Sequence, residues 1–332
     1  MSGGIPAIDI APFLRGTDAE RQAVATAVNA ACEEIGFLLV TGHGIPGSLI
    51  EEMRRVSTLF FERPLAEKLG FRMPPDRYRG YIAFGNEALA YTLDEKTPPD
   101  YKESFSIGPV DTPDDAYHRA ATPANFFAPN MWPEVPQFRG VWTAYYQQME
   151  QLSATLMRIF AMALGMDEHF FDDKIDRHIT NFSVLHYPPQ HEPPLPGQLR
   201  AGAHTDYGSL TIVKPDGAEG GLQVRAKDGS WLDVPHLPDA FVVNLGDLMA
   251  EWTNDRWVST LHRVVNPSRS AGDAARRLSM AFFHQPNYDA VIQCLPTCAE
   301  PGRPPRYMKT TSGEHVWMKI NKHREVERAE AP

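Results

Sequence analysis

Two histidines and an aspartate in this chain fall where extended segments would bring them to one point. In Ala203-His204-Thr205-Asp206-Tyr207-Gly208-Ser209-Leu210-Thr211, residues i and i+2 of an extended chain point the same way, so His204 and Asp206 can offer an imidazole and a carboxylate together. The β-branched run Ser259-Thr260-Leu261-His262-Arg263-Val264-Val265 lies far enough downstream to return as an antiparallel partner across a barrel, and it adds the imidazole of His262. Two imidazoles and one carboxylate leave three positions of an octahedral ion open, which suits Fe(II) and the activation of O2. A zinc hydrolase can use the same ligands, and a lone His-x-Asp is a common satisfied polar pair.

A second i, i+2 pair, Arg277-Leu278-Ser279, separates these readings. A guanidinium fork and a hydroxyl on one strand face are suited to a bidentate grip on a carboxylate, a purpose a hydrolase does not supply. Tyr187, in Leu185-His186-Tyr187-Pro188-Pro189, stands at the end of an earlier strand and can donate its phenol to the same carboxylate.

These residues need rigid strands to hold them. Ile5-Pro6-Ala7-Ile8-Asp9-Ile10 alternates like a short strand. Thr17-Asp18 caps a helix with Val24, Val28, Ala31 and Ile35 at helical spacing, and Gly36 ends it. Phe37–Val40 reads as a buried strand, Thr41–Pro46 as a turn, and Ser48–Phe61 as a second helix. From Pro64 to Pro133 no period persists, which predicts loops with short elements. An amphipathic helix over Phe138–Leu164, ending at Gly165, carries Val141, Tyr145, Met149, Leu152, Leu156 and Ile159 on one side and would brace a sheet. Short apolar segments follow, at Asn181–Tyr187, Ser209–Val213, Gly221–Val224, Phe241–Leu245, Thr260–Val265 and Leu278–Gln285. They predict a mainly β fold with flanking helices, a sandwich or jelly-roll barrel.

The order His204-x-Asp206, His262, Arg277-x-Ser279 resembles the Fe(II)/2-oxoglutarate-dependent dioxygenases, specifically the isopenicillin N synthase-like branch. Ile5–Ile10 and Gly36-Phe37-Leu38-Leu39-Val40-Thr41-Gly42-His43-Gly44-Ile45 resemble it too, so the likeness spans nearly the whole chain. It implies a double-stranded β-helix core, with an N-terminal region over 1–130 and, over 131–332, the bracing helix, the dioxygenase core and a C-terminal segment. It implies His204, Asp206 and His262 as iron ligands, and Arg277, Ser279 and Tyr187 around the far carboxylate of 2-oxoglutarate. O2 is then the other cosubstrate, ascorbate a stimulant, and succinate and CO2 the products beside an oxidised, normally hydroxylated, small molecule.

Within the family, Arg-x-Ser can instead grip the substrate's carboxylate in an oxidase that needs no 2-oxoglutarate. Ethylene formation from 2-oxoglutarate, or metal-dependent ligand binding without turnover, would fit the same residues. Asp206 argues against halogenation, for which related enzymes replace the carboxylate by a small residue. The substrate pocket is expected at Arg79-Gly80-Tyr81, at Tyr101-Lys102-Glu103-Ser104 and at Phe283. Tyr81, Tyr101 and Phe283 would line it for an amino acid, a nucleobase or a secondary metabolite. The loop from His262 to Arg277 is longer than in many plant relatives and would shape one rim.

Composition bounds the remainder. The 332 residues carry 32 Lys+Arg against 42 Asp+Glu, a formal charge of −10 without long charged blocks, so nucleic acid is not an expected partner. Three cysteines, Cys32, Cys294 and Cys298, cannot build a disulfide framework and suit a reducing cytoplasm as free thiols. No apolar run reaches the roughly 20 residues of a membrane span, and the first residues lack the pattern of a signal peptide. Composition leaves the oligomeric state open. His43 is expected to shape its Gly-flanked turn, and His186 and His284 to pack. His118, His169, His178, His191, His236, His315 and His323 are expected to face solvent.

Overall fold

The computed structural model describes residues 4–89, 97–120, 122, 125–190, 192–217, 221–268, 272, 275–300 and 302–329. His191, the side chain of His323 and part of the loop between His262 and Arg277 lie outside them.

The chain begins with β1 (Ala7–Asp9), α1 (Ala11–Arg15) and α2 (Asp18–Glu34). Thr17 caps α2 reciprocally with Glu20, each side chain meeting the other's backbone N–H, a box typically worth about 1 kcal/mol. Gly36 stops the helix at φ +66°, and a Cβ there would stand 2.1 Å from the Val258 carbonyl oxygen. Both the left-handed backbone and that close approach demand glycine.

β2 (Phe37–Thr41), α3 (Gly47–Phe61) and α4 (Leu65–Leu69) follow. In the stretch without period, two strands form, β3 (Gly80–Ile82) and β4 (Glu103–Ile107). All five residues of β4 are buried, so no alternation marks it, and its pairing with its neighbours fixes it.

The bracing helix is α5 (Phe138–Ala163), followed by α6 (Asp172–Ile175), β5 (Asn181–Tyr187), β6 (Ala201–His204), β7 (Leu210–Pro215), β8 (Leu222–Arg225) and β9 (Trp231–Asp233). Then come β10 (Phe241–Leu245), α7 (Asp247–Trp252), β11 (His262–Val264), β12 (Arg277–His284), β13 (Val291–Ile292), β14 (Thr310–Thr311) and α8 (Ser312–Ala329). None of the described helices is long and apolar enough to cross a membrane.

The strands make an eight-stranded sheet ordered β1-β2-β10-β7-β12-β5-β4-β3, a four-stranded sheet ordered β6-β11-β8-β9, and the pair β13-β14. The large sheet buries one face against α2, α3 and α5. Phe182, Met280, Phe282, Ile212 and Val243 meet Trp142, Tyr145, Tyr146 and Leu156 there in the main core. Trp142 stands edge-on to Phe182 at 5.2 Å and Tyr146 to Phe282 at 5.1 Å. The other face looks toward the small sheet, and the space between them is the jelly-roll interior. The N-terminal strands occupy both edges of the large sheet, β1 and β2 beside β10 and β3 and β4 beside β5.

Candidate active site

Alternation along each strand sorts its residues between core and interior. On β12, Leu278, Met280 and Phe282 enter the core, while Arg277, Ser279, Ala281 and Phe283 line an interior cavity of about 870 Å³. On β5, Phe182 and Val184 join the core, while Asn181, Ser183, Leu185 and Tyr187 line the cavity.

The small sheet supplies the ligand set. β11 pairs antiparallel with β6, with His262 directly opposite His204 and their ring centroids 4.3 Å apart. Asp206 follows just past the end of β6. Its Oδ1 lies 3.8 Å from His204 Nε2 and 3.7 Å from His262 Nε2, so one ion bound at roughly 2 Å can meet all three after small rotations. His204 Nδ1 donates to the Gly202 carbonyl at 2.8 Å and His262 Nδ1 to the Thr260 carbonyl at 3.0 Å. Carbonyls accept only, so each imidazole carries a proton on Nδ1 and turns Nε2 inward.

Asp206 is held from behind. Its Oδ2 accepts from Asn244 Nδ2 at 2.7 Å and from Thr211 Oγ1 at 2.5 Å, which leaves Oδ1 for the imidazoles. Burial pushes its carboxyl up, but the two imidazoles and these hydrogen bonds outweigh burial and hold it below the usual range. Burial, then His262, push the His204 imidazole down and keep it neutral. A neutral His204 imidazole beside an ionised Asp206 carboxylate is the protonation state a divalent metal requires of those two ligands.

The second pair converges on the same cavity. Arg277 and Tyr187 are register partners across β12 and β5, and Ser279 lies two residues along on the same face. All three are nearly fully buried. Burial raises the Tyr187 phenol above its ordinary value, so it stays protonated and able to donate.

Of the three expected pocket aromatics, Phe283 faces the cavity. Tyr81 borders it, but its phenol donates to the Glu103 carboxylate on the core side and its ring packs edge-on against Phe60. Tyr101 is not among the lining residues: its ring stands against Phe84 and its hydroxyl donates to the Pro189 carbonyl. Lys102, its neighbour, takes the inward position. Lys102 Nζ meets Glu87 and Asp100 at 3.1 Å each, and Asp100 accepts the Gly202 N–H at 2.9 Å, tying the segment before β4 to the strand that carries His204.

His43 shapes its turn, accepting the Ile45 N–H and donating to the Asp239 carbonyl. His186 packs on Phe61 and bonds Glu103, and His284 meets the Ser209 hydroxyl, both on the core side. His169 and His236 are exposed. His315 instead is buried, beside Glu251 at 3.6 Å, because α8 turns that side inward. His178 and His118 are also partly covered, through bonds to Glu150 and Asp115. Of the residues around the ligand set, Asn244 left a trace in the sequence, as the lone amide in the apolar run Phe-Val-Val-Asn-Leu, where a buried polar group needs a partner. Thr211 and Tyr207 left none.

Comparison with known proteins agrees with this geometry. A family profile described as the N-terminal region of the non-haem dioxygenase in morphine synthesis matches residues 5–135, and that of the 2OG-Fe(II) oxygenase superfamily matches residues 179–286. A 2-oxoglutarate-Fe(II) type oxidoreductase of Emericella nidulans is 33% identical over 94% of this chain and 88% of its own length. A homoarginine-6-hydroxylase of Oryza sativa is 34% identical over 95% and 96%. A full-length Neurospora crassa protein crystallised in complex with alpha-KG and thymine superposes with a TM-score of 0.83 at 31% identity, covering 96% of each chain.

Proposed function

Because the chain belongs to the 2OG-Fe(II) oxygenase superfamily, and so is an Fe(II)- and 2-oxoglutarate-dependent dioxygenase, we propose that His204, Asp206 and His262 are its iron ligands. The donor set fits: two Nε2 lone pairs and one carboxylate oxygen converge, with open space before them in the cavity. Bound there, ferrous iron supplies the coupling of O2 reduction to decarboxylation of 2-oxoglutarate, with release of succinate and CO2.

The chain's own groups do the positioning. Arg277 grips the far carboxylate of 2-oxoglutarate, assisted by the Ser279 hydroxyl and the Tyr187 phenol. Strand geometry holds all three, so little rotamer freedom remains to be lost on binding. Asn244 and Thr211 fix which oxygen of Asp206 turns to the metal. The buried walls exclude water from the reacting centre. The retained carboxylate of Asp206 favours hydroxylation of the substrate.

The substrate is a small molecule, from among the amino acids, nucleobases or secondary metabolites. Cavity size, the aromatic face of Phe283, and relatives named for homoarginine and crystallised with thymine support this range. The free cysteines accord with a cytoplasmic setting. The convergence of the His204/Asp206/His262 and Arg277/Ser279 sets on one cavity carries the assignment. It is tested by a metabolite screen for substrate-stimulated succinate release with Fe(II) and ascorbate. Succinate formation that needs both Fe(II) and 2-oxoglutarate, and is lost in His262→Ala, is the expected result.

A further inference from the structure

Two nearly fully buried arginines line the cavity, Arg277 and Arg79. The sheet register measures their separation. From Arg277 to Phe283 the strand β12 advances six residues, roughly 20 Å. Phe283 pairs with Asn181 on β5, and the Asn181 amide lies 3.4 Å from Arg79 Nη1. On its other side Phe283 pairs with Thr211, which bonds Asp206. Thr211, Phe283 and Asn181 thus form one row across three strands, which sets the Arg79 end about 10 Å from the Asp206 end. The two guanidiniums stand at opposite ends of the cavity, with the ligand set beside the row that leads to Arg79.

Among the described residues, Arg79 also lacks a counter-charge. Its Nη1 donates to the Tyr78 carbonyl at 2.8 Å and its Nη2 to the Phe126 carbonyl at 2.5 Å, while Nε is buried without a partner. The guanidinium lies on Gly108, where a Cβ would come within 1.7 Å of Nη2. Among the described residues, no carboxylate pairs with it. Two other buried cations are matched by carboxylates, Lys102 by Glu87 and Asp100 and Lys68 by Glu103. Burial lowers the Arg79 pKa to about 10, so the group is still charged at neutral pH. A buried charge without an opposite charge is strongly unfavourable, and a ligand that supplies one is bound in part by that deficit. One step past Phe283 on the same face, Gln285 Oε1 is a buried acceptor without a donor.

We propose, building on the oxygenase reading, that Arg79 is the specificity-determining residue and that the substrate is a small carboxylate whose anionic end docks on its guanidinium. The substrate then lies along the row past Phe283, its oxidisable carbon toward the ligand set, while Arg277 is left to 2-oxoglutarate. Gln285 Oε1 is placed to accept an N–H or O–H from the same molecule. This singles out acids, amino acids included, over neutral nucleobases.

The test uses the full-length protein with Fe(II) and 2-oxoglutarate, and a panel of small carboxylic and amino acids, each paired with its primary amide, with thymine as the neutral probe. Thermal shift and KM from stimulated succinate release are read. At least one acid should act at a KM tenfold or more below its amide. Arg79→Gln should raise that KM roughly 10- to 100-fold and erase the preference for acid over amide. Arg79→Lys should recover part of it, and Gly108→Ala, which keeps the charge but displaces the guanidinium, should weaken the same acid. A merely structural role would weaken acid and amide alike and leave their ratio intact.

The dissociation constant for 2-oxoglutarate reports whether each variant is folded, and if Arg79→Gln fails that check, Arg79→Lys and Gly108→Ala carry the comparison. Preference for thymine or for amides, or an unchanged acid-to-amide ratio in the variants, overturns the assignment of Arg79 while 2-oxoglutarate still binds. Failure of the wild type to bind 2-oxoglutarate would overturn the oxygenase reading as well.

Discussion

Asn244 and Thr211 decide which oxygen of Asp206 is available, since both bond Oδ2. Asn244→Ala is therefore expected to weaken Fe(II) binding by roughly 10- to 100-fold with the fold intact, measured by anaerobic metal titration. With Arg277 gripping 2-oxoglutarate as proposed, Arg277→Leu would leave the far carboxylate unmatched in a desolvated site. It should lose about 2–5 kcal/mol of cosubstrate binding while Fe(II) affinity barely changes. An unaltered 2-oxoglutarate constant would mean that Arg277 and Ser279 hold the substrate instead. Arg277 and Ser279 were legible in the sequence because an i, i+2 spacing on a strand fixes a shared face, and His204 and Asp206 because the same spacing at a strand's end lets both reach one point. Tyr101 was not, because it precedes β4, where register rather than residue type chooses which neighbour turns inward. Lys102 took that place.

The strand β12 shows how one element serves stability and chemistry in alternate residues. Phe282 is fully buried against Tyr146 and Phe182, whereas Phe283 faces the cavity. Phe282→Ala is expected to destabilise the protein by about 3–5 kcal/mol. Phe283→Ala should leave the urea midpoint near that of the wild type and raise the KM for substrate. Equal losses of stability in both would contradict the alternation. The strands Asn181–Tyr187 and Phe241–Leu245 were legible to the residue. β3, β4 and β9 were not, being short segments whose own composition carries no period. The capping box at Thr17 and the stop at Gly36 were legible because they are local backbone chemistry.

At the scale of the molecule, residues from the N-terminal region supply both edges of the large sheet. We propose that the region over 1–130 and the remainder over 131–332 are parts of one cooperative unit. A 131–332 fragment should then lack a cooperative thermal transition, because the edges of β10 and β5 would lie bare; a sharp transition in that fragment would contradict this.

Acid stability follows from the buried imidazoles. Burial, then His178, hold His284 well below its ordinary value, and burial lowers His43 as well. Unfolded imidazoles titrate near about 6.5. Below that pH the unfolded chain takes up protons that the native chain refuses, so stability falls as pH drops, by up to about 1.4 kcal/mol per pH unit for the buried His284 and by less for the partly exposed His43. Urea midpoints should decline between about pH 6.5 and 5, and His284→Gln should flatten that slope.

The proposed ferrous site of His204, Asp206 and His262 lies beside the proposed 2-oxoglutarate pocket. It is tested most directly by adding Fe(II) and 2-oxoglutarate together under anaerobic conditions and following visible absorption. The wild type should develop a weak charge-transfer band that saturates at one Fe(II) per chain, and His204→Ala and His262→Ala should not. A wild type without the band, or a histidine variant that retains it together with succinate formation, would contradict the account.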